Sequence, residues 1–132
     1  MILVDTSVLI NFFKGIKNHK VDKLRSTISN RIPYGICNLV YTELLQGART
    51  EKEYELLQKY LCTQRFYELK NGLRSYEAAA LNYFQCRKNG VTVRSTIDII
   101  ITQIAIENDL LLLHDDSDYS SIAKVITDLK EY

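Results

Sequence analysis

The sequence lacks the features that mark several common protein classes. Its three cysteines, Cys37, Cys62 and Cys86, form no closely spaced pair, which argues against a disulfide framework and a structural zinc site and favours the reducing cytoplasm. The longest apolar stretch, residues 97–106, is interrupted by polar side chains and is too short to cross a bilayer. No basic leader precedes the first apolar residues, and no glycine-rich loop is present for nucleotide phosphates. We therefore expect a cytoplasmic protein with no membrane segment and no Rossmann or P-loop site.

The chain also lacks an excess of either charge, since its formal net charge at pH 7 is +1. The overall balance therefore does not indicate nucleic-acid binding, but the distribution is uneven. One basic stretch, residues 14–31, contains a single acidic residue, Asp22. Two interpretations stay open for it: a solvated helix face, or a local patch that binds phosphate groups. The candidate phosphate contacts are Lys14, Lys17, Lys20 and Lys23.

Length and apolar patterning predict the fold class. The 132 residues fit one compact domain, residues 1–132. Short apolar runs predict strands at residues 2–4, 34–37, 65–69, 110–113 and, at the edge, 125–126, with helical patterns between them. Strands that are apolar on both faces and separated by helices are typical of a parallel sheet covered on both sides. We predict an α/β fold of three layers, α/β/α, around a central parallel sheet of about five short strands.

Acidic residues follow or flank the predicted strands. Asp5 ends the first strand, and Asp116 and Asp118 lie just beyond the fourth. Glu43 lies one turn into the helix after the second strand, and Asp98 lies in the first turn of the helix that leads to the fourth. Because ligands of open parallel sheets bind beyond the carboxyl ends of the strands, this topology can gather the acids at one edge.

Each acid also has a purely structural interpretation. The acids at the strand ends could be helix caps or turn residues, and Glu43 could lie on the surface of an amphipathic helix. Asp98 fits such a role least well, because isoleucines surround it and a buried carboxylate needs a partner. Arg94, four residues earlier, could be that partner, and a metal ion is the alternative.

Converging carboxylates repel one another and raise each other's pKa, and a hard divalent cation reverses this. Mg²⁺ or Mn²⁺ takes oxygen ligands and bridges to phosphates, so it can activate water and stabilise the leaving oxygen of a phosphodiester. A calcium loop starting at Asp116 fails, because Ser121 and Thr127 occupy the positions that require Gly and Glu. No histidine is placed as an obvious general base, so we expect a water on the cation as the nucleophile, oriented by a carboxylate.

Four segments, in order, carry a resemblance. They are Asp5-Thr6-Ser7 after an apolar strand, residues 42–47, Arg94 with Asp98 before an apolar helix, and residues 114–119. Together they resemble the PIN-domain family, and in length and spacing the VapC-type toxins of bacterial toxin–antitoxin pairs. No single segment is specific, but four in this order form a strong pattern that covers essentially the whole chain.

The resemblance implies a Mg²⁺- or Mn²⁺-dependent endoribonuclease that cuts single-stranded regions of RNA. It also implies a homodimer and a cognate antitoxin that blocks the active-site groove with its C-terminal segment. Tyr119 stands where the family often has Phe, a difference that we expect to matter little. The choice between Asp116 and Asp118 as the main fourth ligand stays open.

By position, the resemblance implies three sets of site residues. The lysines of the basic stretch, the candidate RNA contacts, are a separate set that rests on the charge distribution. The catalytic residues are Asp5, Glu43, Asp98 and Asp116, the metal ligands are Asp5, Asp98, Asp116 and Asp118, and the supporting residues are Thr6, Ser7 and Arg94.

Two alternatives to a toxin remain. One is a PIN nuclease in RNA processing that has no antitoxin, and a neighbouring small open reading frame would distinguish the two. The other is a metal-binding or RNA-binding module without turnover. The full set of acids argues against this module, because binding alone needs no repulsive carboxylate cluster.

Overall fold

A parallel sheet of four short strands lies at the centre of the protein. The computed structural model describes all 132 residues. The strands are β1 (Ile2–Val4), β2 (Tyr34–Gly35), β3 (Leu111–Leu113) and β4 (Lys130–Glu131). The helices are α1 (Thr6–Phe13), α2 (His19–Ser29), α3 (Asn38–Gln46), α4 (Glu51–Leu61), α5 (Leu73–Lys88), α6 (Thr96–Glu107) and α7 (Ser117–Val125).

The strand order is β2-β1-β3-β4, and every neighbouring pair is parallel. All three residues of β1 are buried, although successive side chains of a strand point to opposite faces. Helices therefore cover both faces of the sheet, which confirms the three-layer α/β/α prediction. Because β1 and β3 are adjacent, the segments that follow Val4 and Leu113 leave the same edge of the sheet side by side.

The prediction of about five strands was one too many. The segment at residues 65–69 pairs with the continuation of β2 through a single bridge, Ile36 to Phe66. The pairing stops there because the next residue, Cys37, is already the N-cap of α3. Gly35 permits this close approach, since a Cβ atom there would collide with the carbonyl oxygen of Arg65.

The predicted edge strand at residues 125–126 was also misplaced. Val125 is the last residue of α7, and both Val125 and Ile126 pack against the core. Packing of these β-branched side chains overrides their preference for strands. The edge strand forms four residues later, where β4 pairs with β3. No helix is both long enough and apolar enough to cross a membrane.

Candidate active site

The predicted acids come from four separate segments and meet at the edge where β1 and β3 end. Asp5 is the N-cap of α1 and Asp116 is the N-cap of α7. Asp98 lies in the first turn of α6 and Asp118 in the first turn of α7. Glu43 lies in α3, next to Thr6 at the start of α1. The structure therefore gathers the five acids that the sequence singled out.

Asp5 is buried, with 5% of its surface exposed, and its two oxygens have different partners. Oδ2 accepts hydrogen bonds from the backbone N–H of Ser7 (3.0 Å) and from its hydroxyl (2.6 Å). Ser7 Oγ in turn accepts the backbone N–H of Asp115 at 2.9 Å. Ser7 thus ties the end of β1 to the end of β3, and Oδ1 of Asp5 is left to face the other acids.

Tyr119 lies between two of the acids. Its hydroxyl is 3.0 Å from Oδ1 of Asp5 and 3.3 Å from Oδ1 of Asp98. Burial and the charges of these two carboxylates raise the pKa of Tyr119, so the group remains a hydrogen-bond donor. The expectation that Tyr in place of Phe matters little did not consider this hydroxyl, which contacts both acids and which a Phe would lack.

Three carboxylates form the most compact part of the site. One oxygen from each of Asp98, Asp116 and Asp118 lies within 4.8 Å of the others. Burial, and then the charges of Asp5 and Asp116, raise the pKa of Asp98 to about 6. The negative charges of neighbouring carboxylates therefore disfavour the ionised form of Asp98.

Arg94 neutralises one member of this cluster. Its Nε donates to Oδ2 of Asp118 at 3.0 Å and its Nη2 donates to Oδ1 at 2.8 Å. Of the two partners considered for Asp98, Arg94 is therefore not the one, because α6 begins only after its N-cap Ser95 and Arg94 lies outside the helix. Asp116 accepts a single side-chain hydrogen bond, from the backbone N–H of Asp118 to Oδ1 at 2.9 Å.

Glu43 lies near Asp5 and contacts a hydroxyl. Thr6 Oγ1 donates to its Oε1 at 3.0 Å. Burial raises the pKa of Glu43, the Thr6 hydrogen bond partly opposes this, and the charge of Asp5 adds to the increase. Thr6 therefore supports Glu43, whereas Ser7 supports Asp5.

His114 is adjacent to the acids but is engaged elsewhere. Its Nδ1 accepts the backbone N–H of Asp116 at 3.2 Å, so the ring hydrogen lies on Nε2, which is 2.8 Å from Oε1 of Glu131. Ser120 donates to the same oxygen at 2.7 Å. Burial raises the pKa of Glu131, but the hydrogen bonds from Ser120 and His114 outweigh it, and the net pKa is lowered. His114 therefore positions the loop before α7 and has no nitrogen free to act as a base.

The candidate phosphate contacts have different surroundings. Lys14 and Lys17 are exposed, and Lys14 lines a cavity of about 500 Å³ that Glu43 also lines. Lys20 Nζ donates to the carbonyl oxygen of Tyr132 at 3.4 Å, and Lys23 Nζ lies 4.9 Å from the centre of the Tyr132 ring. Two of the four lysines therefore already contact the C-terminal residue.

The donor set fits a hard divalent cation. The oxygens that converge here belong to Asp5, Asp98, Asp116 and Asp118, and none of the three cysteines or the two histidines contributes a ligand atom to the compact cluster. Such all-oxygen, carboxylate-rich sets suit Mg²⁺ or Mn²⁺ and disfavour zinc. The raised pKa of Asp98 points the same way, because a cation would relieve the repulsion that causes part of it.

Comparison with known proteins identifies the family of this chain. The sequence matches the family profile of the PIN domain over residues 2–125. The chain belongs to the PIN-domain family. It is 29% identical over 134 residues to a VapC ribonuclease of Mycobacterium bovis, in an alignment that covers 95% of this chain and 93% of that relative.

Solved structures share the PIN-domain fold at lower sequence identity. VapBC2 from Rickettsia felis, bound to a DNA fragment from their promoter, superposes with a TM-score of 0.77 at 13% identity, over 100% of this chain and 98% of that one. A toxin–antitoxin complex from Klebsiella pneumoniae gives a TM-score of 0.70 at 18% identity, over 98% and 99% of the two chains.

Sequence reasoning missed one residue that contacts these acids, Tyr119. A signal for it was present: Tyr119 lies three residues before Ile122 on the buried face of α7, and both side chains are fully buried. A buried tyrosine hydroxyl needs a hydrogen-bond partner. The polar groups at this edge of the sheet are the acids themselves.

Proposed function

We propose that this PIN-domain protein is a Mg²⁺- or Mn²⁺-dependent endoribonuclease toxin of the VapC type, held inactive by a cognate antitoxin. The observation that carries the proposal is the convergence of Asp5, Glu43, Asp98 and Asp116 at the end of β1 and β3. A binding module has no need of carboxylates this close together. The similarity to a VapC ribonuclease supports the same conclusion.

Asp5, Asp98 and Asp116 are the proposed main ligands of the cation, with Asp118 as a weaker one. Both oxygens of Asp118 are held by Arg94, whereas only one oxygen of Asp116 accepts a hydrogen bond. When bound, the cation would lower the pKa of a water molecule and offset charge on the phosphate. We therefore propose Asp116, rather than Asp118, as the main fourth ligand.

The protein's own residues then orient the reactants. Glu43 has a raised pKa and a fixed orientation from Thr6, which suit a group that accepts a proton from the attacking water. Asp5 is fixed by Ser7 through Oδ2, so Oδ1 keeps its direction towards the other acids. The Arg94 side chain is 71% exposed, so the N–H groups that do not bind Asp118 are available to a substrate phosphate.

The basic stretch is the proposed path of the RNA backbone. Lys14 adjoins the cavity that includes Glu43, so a strand lying in this cavity would pass from the lysine to the acids. Phosphate contacts of this kind give affinity without sequence preference. Lys14, Lys17, Lys20 and Lys23 are the proposed contacts, the last two in addition to their contacts with Tyr132.

The same cavity is the proposed docking place of the antitoxin. Its walls include Ile10, Phe13 and Leu57, which can contact apolar side chains of the antitoxin, and it leads to acids that attract an arginine.

The proposed homodimer surface lies on α5, which exposes Leu81 and Phe84, with 57% and 49% of their surfaces open to solvent. A second copy of the chain would cover these side chains. A lysine at position 81 would place a charge in that interface, so Leu81→Lys should sediment as a monomer in analytical ultracentrifugation.

An RNA-cleavage assay tests the proposed activity. With purified protein and a single-stranded RNA, cleavage should require Mg²⁺ or Mn²⁺ and stop in excess EDTA. Glu43→Gln and Asp98→Asn should each lower the rate by at least about 100-fold, since a positioned proton acceptor or charge contributes on that scale. Asp115→Asn is the matched control, because Asp115 is exposed and contacts the site only through its backbone N–H.

Full cleavage in excess chelator, or full activity of both site variants, would contradict the proposal. The antitoxin is tested by expression in a bacterial host with and without the product of the adjacent small reading frame. Growth arrest should occur only without it. Arrest that the adjacent product does not relieve would favour an RNA-processing nuclease without an antitoxin.

A further inference from the structure

Tyr119 is built into the core, yet its polar end faces the acids. None of its surface is exposed, and its ring centroid lies 5.0 Å from that of His114. Its hydroxyl reaches Oδ1 of Asp5 at 3.0 Å and Oδ1 of Asp98 at 3.3 Å. The ring therefore fixes the hydroxyl, and the hydroxyl has two acceptors within reach.

A tyrosine hydroxyl has one proton, so it donates fully to only one acceptor at a time. The two acceptors here are carboxylates from unrelated segments, one at the end of β1 and one in the first turn of α6. Like charges this close repel one another. A shared donor between them opposes the rotation of either side chain away from the other.

We propose that Tyr119 is a positioning residue, whose hydroxyl holds the Asp5 and Asp98 carboxylates at the separation at which both bind one divalent cation. This inference rests on the proposed function, because it assigns these two acids to the same cation. A phenylalanine at this position would fill the same space but would donate nothing. Asp5 would then be held by Ser7 alone, and the Asp98 carboxylate would have no hydrogen bond.

The test is Tyr119→Phe, with Tyr67→Phe as the matched control. Tyr67 is also buried, and its hydroxyl has only the sulfur of Met1 as a partner, at 3.8 Å. Mn²⁺ binding to each protein is measured by isothermal titration calorimetry. We expect Tyr119→Phe to raise the Kd for Mn²⁺ by about 10-fold or more, the scale on which groups that orient metal ligands act. Tyr67→Phe should leave the Kd unchanged.

Kinetics separates positioning from general damage to the fold. For Tyr119→Phe, the Mn²⁺ concentration that gives half-maximal cleavage should rise more than the rate at saturating Mn²⁺ falls. An unchanged or lower Kd in Tyr119→Phe would overturn the positioning role alone, provided that the wild type binds Mn²⁺. If the wild type binds no Mn²⁺, the proposed function fails, and the positioning role fails with it.

A measurement on the wild type covers the case in which Tyr119→Phe does not fold. Protein labelled with ¹³C at the ζ carbon of tyrosine is titrated with Mg²⁺ and followed by NMR. One of the nine tyrosine resonances should shift and saturate at the Mg²⁺ concentration that stabilises the protein. If none of the resonances shifts there, the hydroxyl does not contact the cation's ligands, and the proposal is wrong.

Discussion

At the scale of single residues, two acids of this site cap helices and still have an oxygen for the proposed function. Asp5 caps α1 with Oδ2 and faces the cluster with Oδ1. Asp116 caps α7 in the same way, through Oδ1. The structural and functional interpretations of these residues therefore do not compete, because a carboxylate has two oxygens and a cap needs only one. A cap also fixes the side chain, which keeps the other oxygen directed at the site.

Asp98 has the largest pKa change among the acids, and this change makes a prediction about stability and pH. Its pKa is about 6 in the folded protein, against 3.8 for the free side chain. Between these values the folded state binds more protons than the unfolded state, so stability falls as pH rises. In EDTA, Asp98→Asn should therefore raise the Tm at pH 7, and the fall in Tm between about pH 4 and pH 6 should be shallower than in the wild type.

Melting curves from about pH 4 to pH 7 in EDTA check this, with Asp115→Asn as the exposed control. A lower Tm for Asp98→Asn at pH 7 would mean that its carboxylate stabilises the fold. Asp98 would then be a structural acid, because removing the hydrogen bond from Tyr119 would outweigh the relief of repulsion.

At the scale of elements, the ends of strands and helices decide what the site contains. The strands are short, and β1 and β3 end at the residues just before Asp5 and His114. The four segments with acids were predictable from the sequence. Apolar runs followed by Asp mark the ends of β1 and β3, and helical patterns place Glu43 and Asp98 near the starts of their helices. The partner of Arg94 was not, because the assumed spacing of four residues applies only inside a helix, and α6 starts at Thr96.

The number and the positions of the short strands could not be predicted from the sequence either. Residues 65–69 have the composition of a strand, but a ladder needs a partner, and the neighbouring chain turns into α3 after Ile36. Whether a partner is available depends on the packing of distant segments. Such pairing cannot be inferred from local propensity.

The segment from Lys14 to α2 makes a prediction about RNA binding. In a Glu43→Gln background, chosen because we expect it not to cleave, Lys14→Ala with Lys17→Ala should weaken binding of single-stranded RNA. The slope of log affinity against log salt should flatten by roughly 0.7 for each phosphate that the variant no longer neutralises. Fluorescence anisotropy at several salt concentrations measures both quantities, with Lys88→Ala at the end of α5 as the control. An unchanged slope would return this segment to the interpretation of a solvated helix face.

At the scale of the whole molecule, the site exists only because the fold brings four distant segments together. Asp5 and Tyr119 are separated by 114 positions, and Thr6 and Glu43 by 37, yet each pair is joined by a hydrogen bond. The adjacency of β1 and β3 in a parallel sheet produces this convergence. The edge of the sheet at which the acids converge was predictable, because ligands of open parallel sheets bind beyond the carboxyl ends of the strands. The distances between the acids and the hydroxyl that bridges them depend on side-chain packing and were not predictable.

In the proposed site, Asp5, Asp98 and Asp116 hold one divalent cation between them. The most direct test is the change in Tm on adding Mg²⁺ to the wild type, Asp98→Asn, Asp116→Asn and the control Asp115→Asn. A ligand that binds only the folded state stabilises it by mass action. Mg²⁺ should therefore raise the Tm of the wild type and of Asp115→Asn, and raise that of the two site variants much less. Equal shifts in all four proteins, or no shift in the wild type, would contradict a shared cation at these three acids.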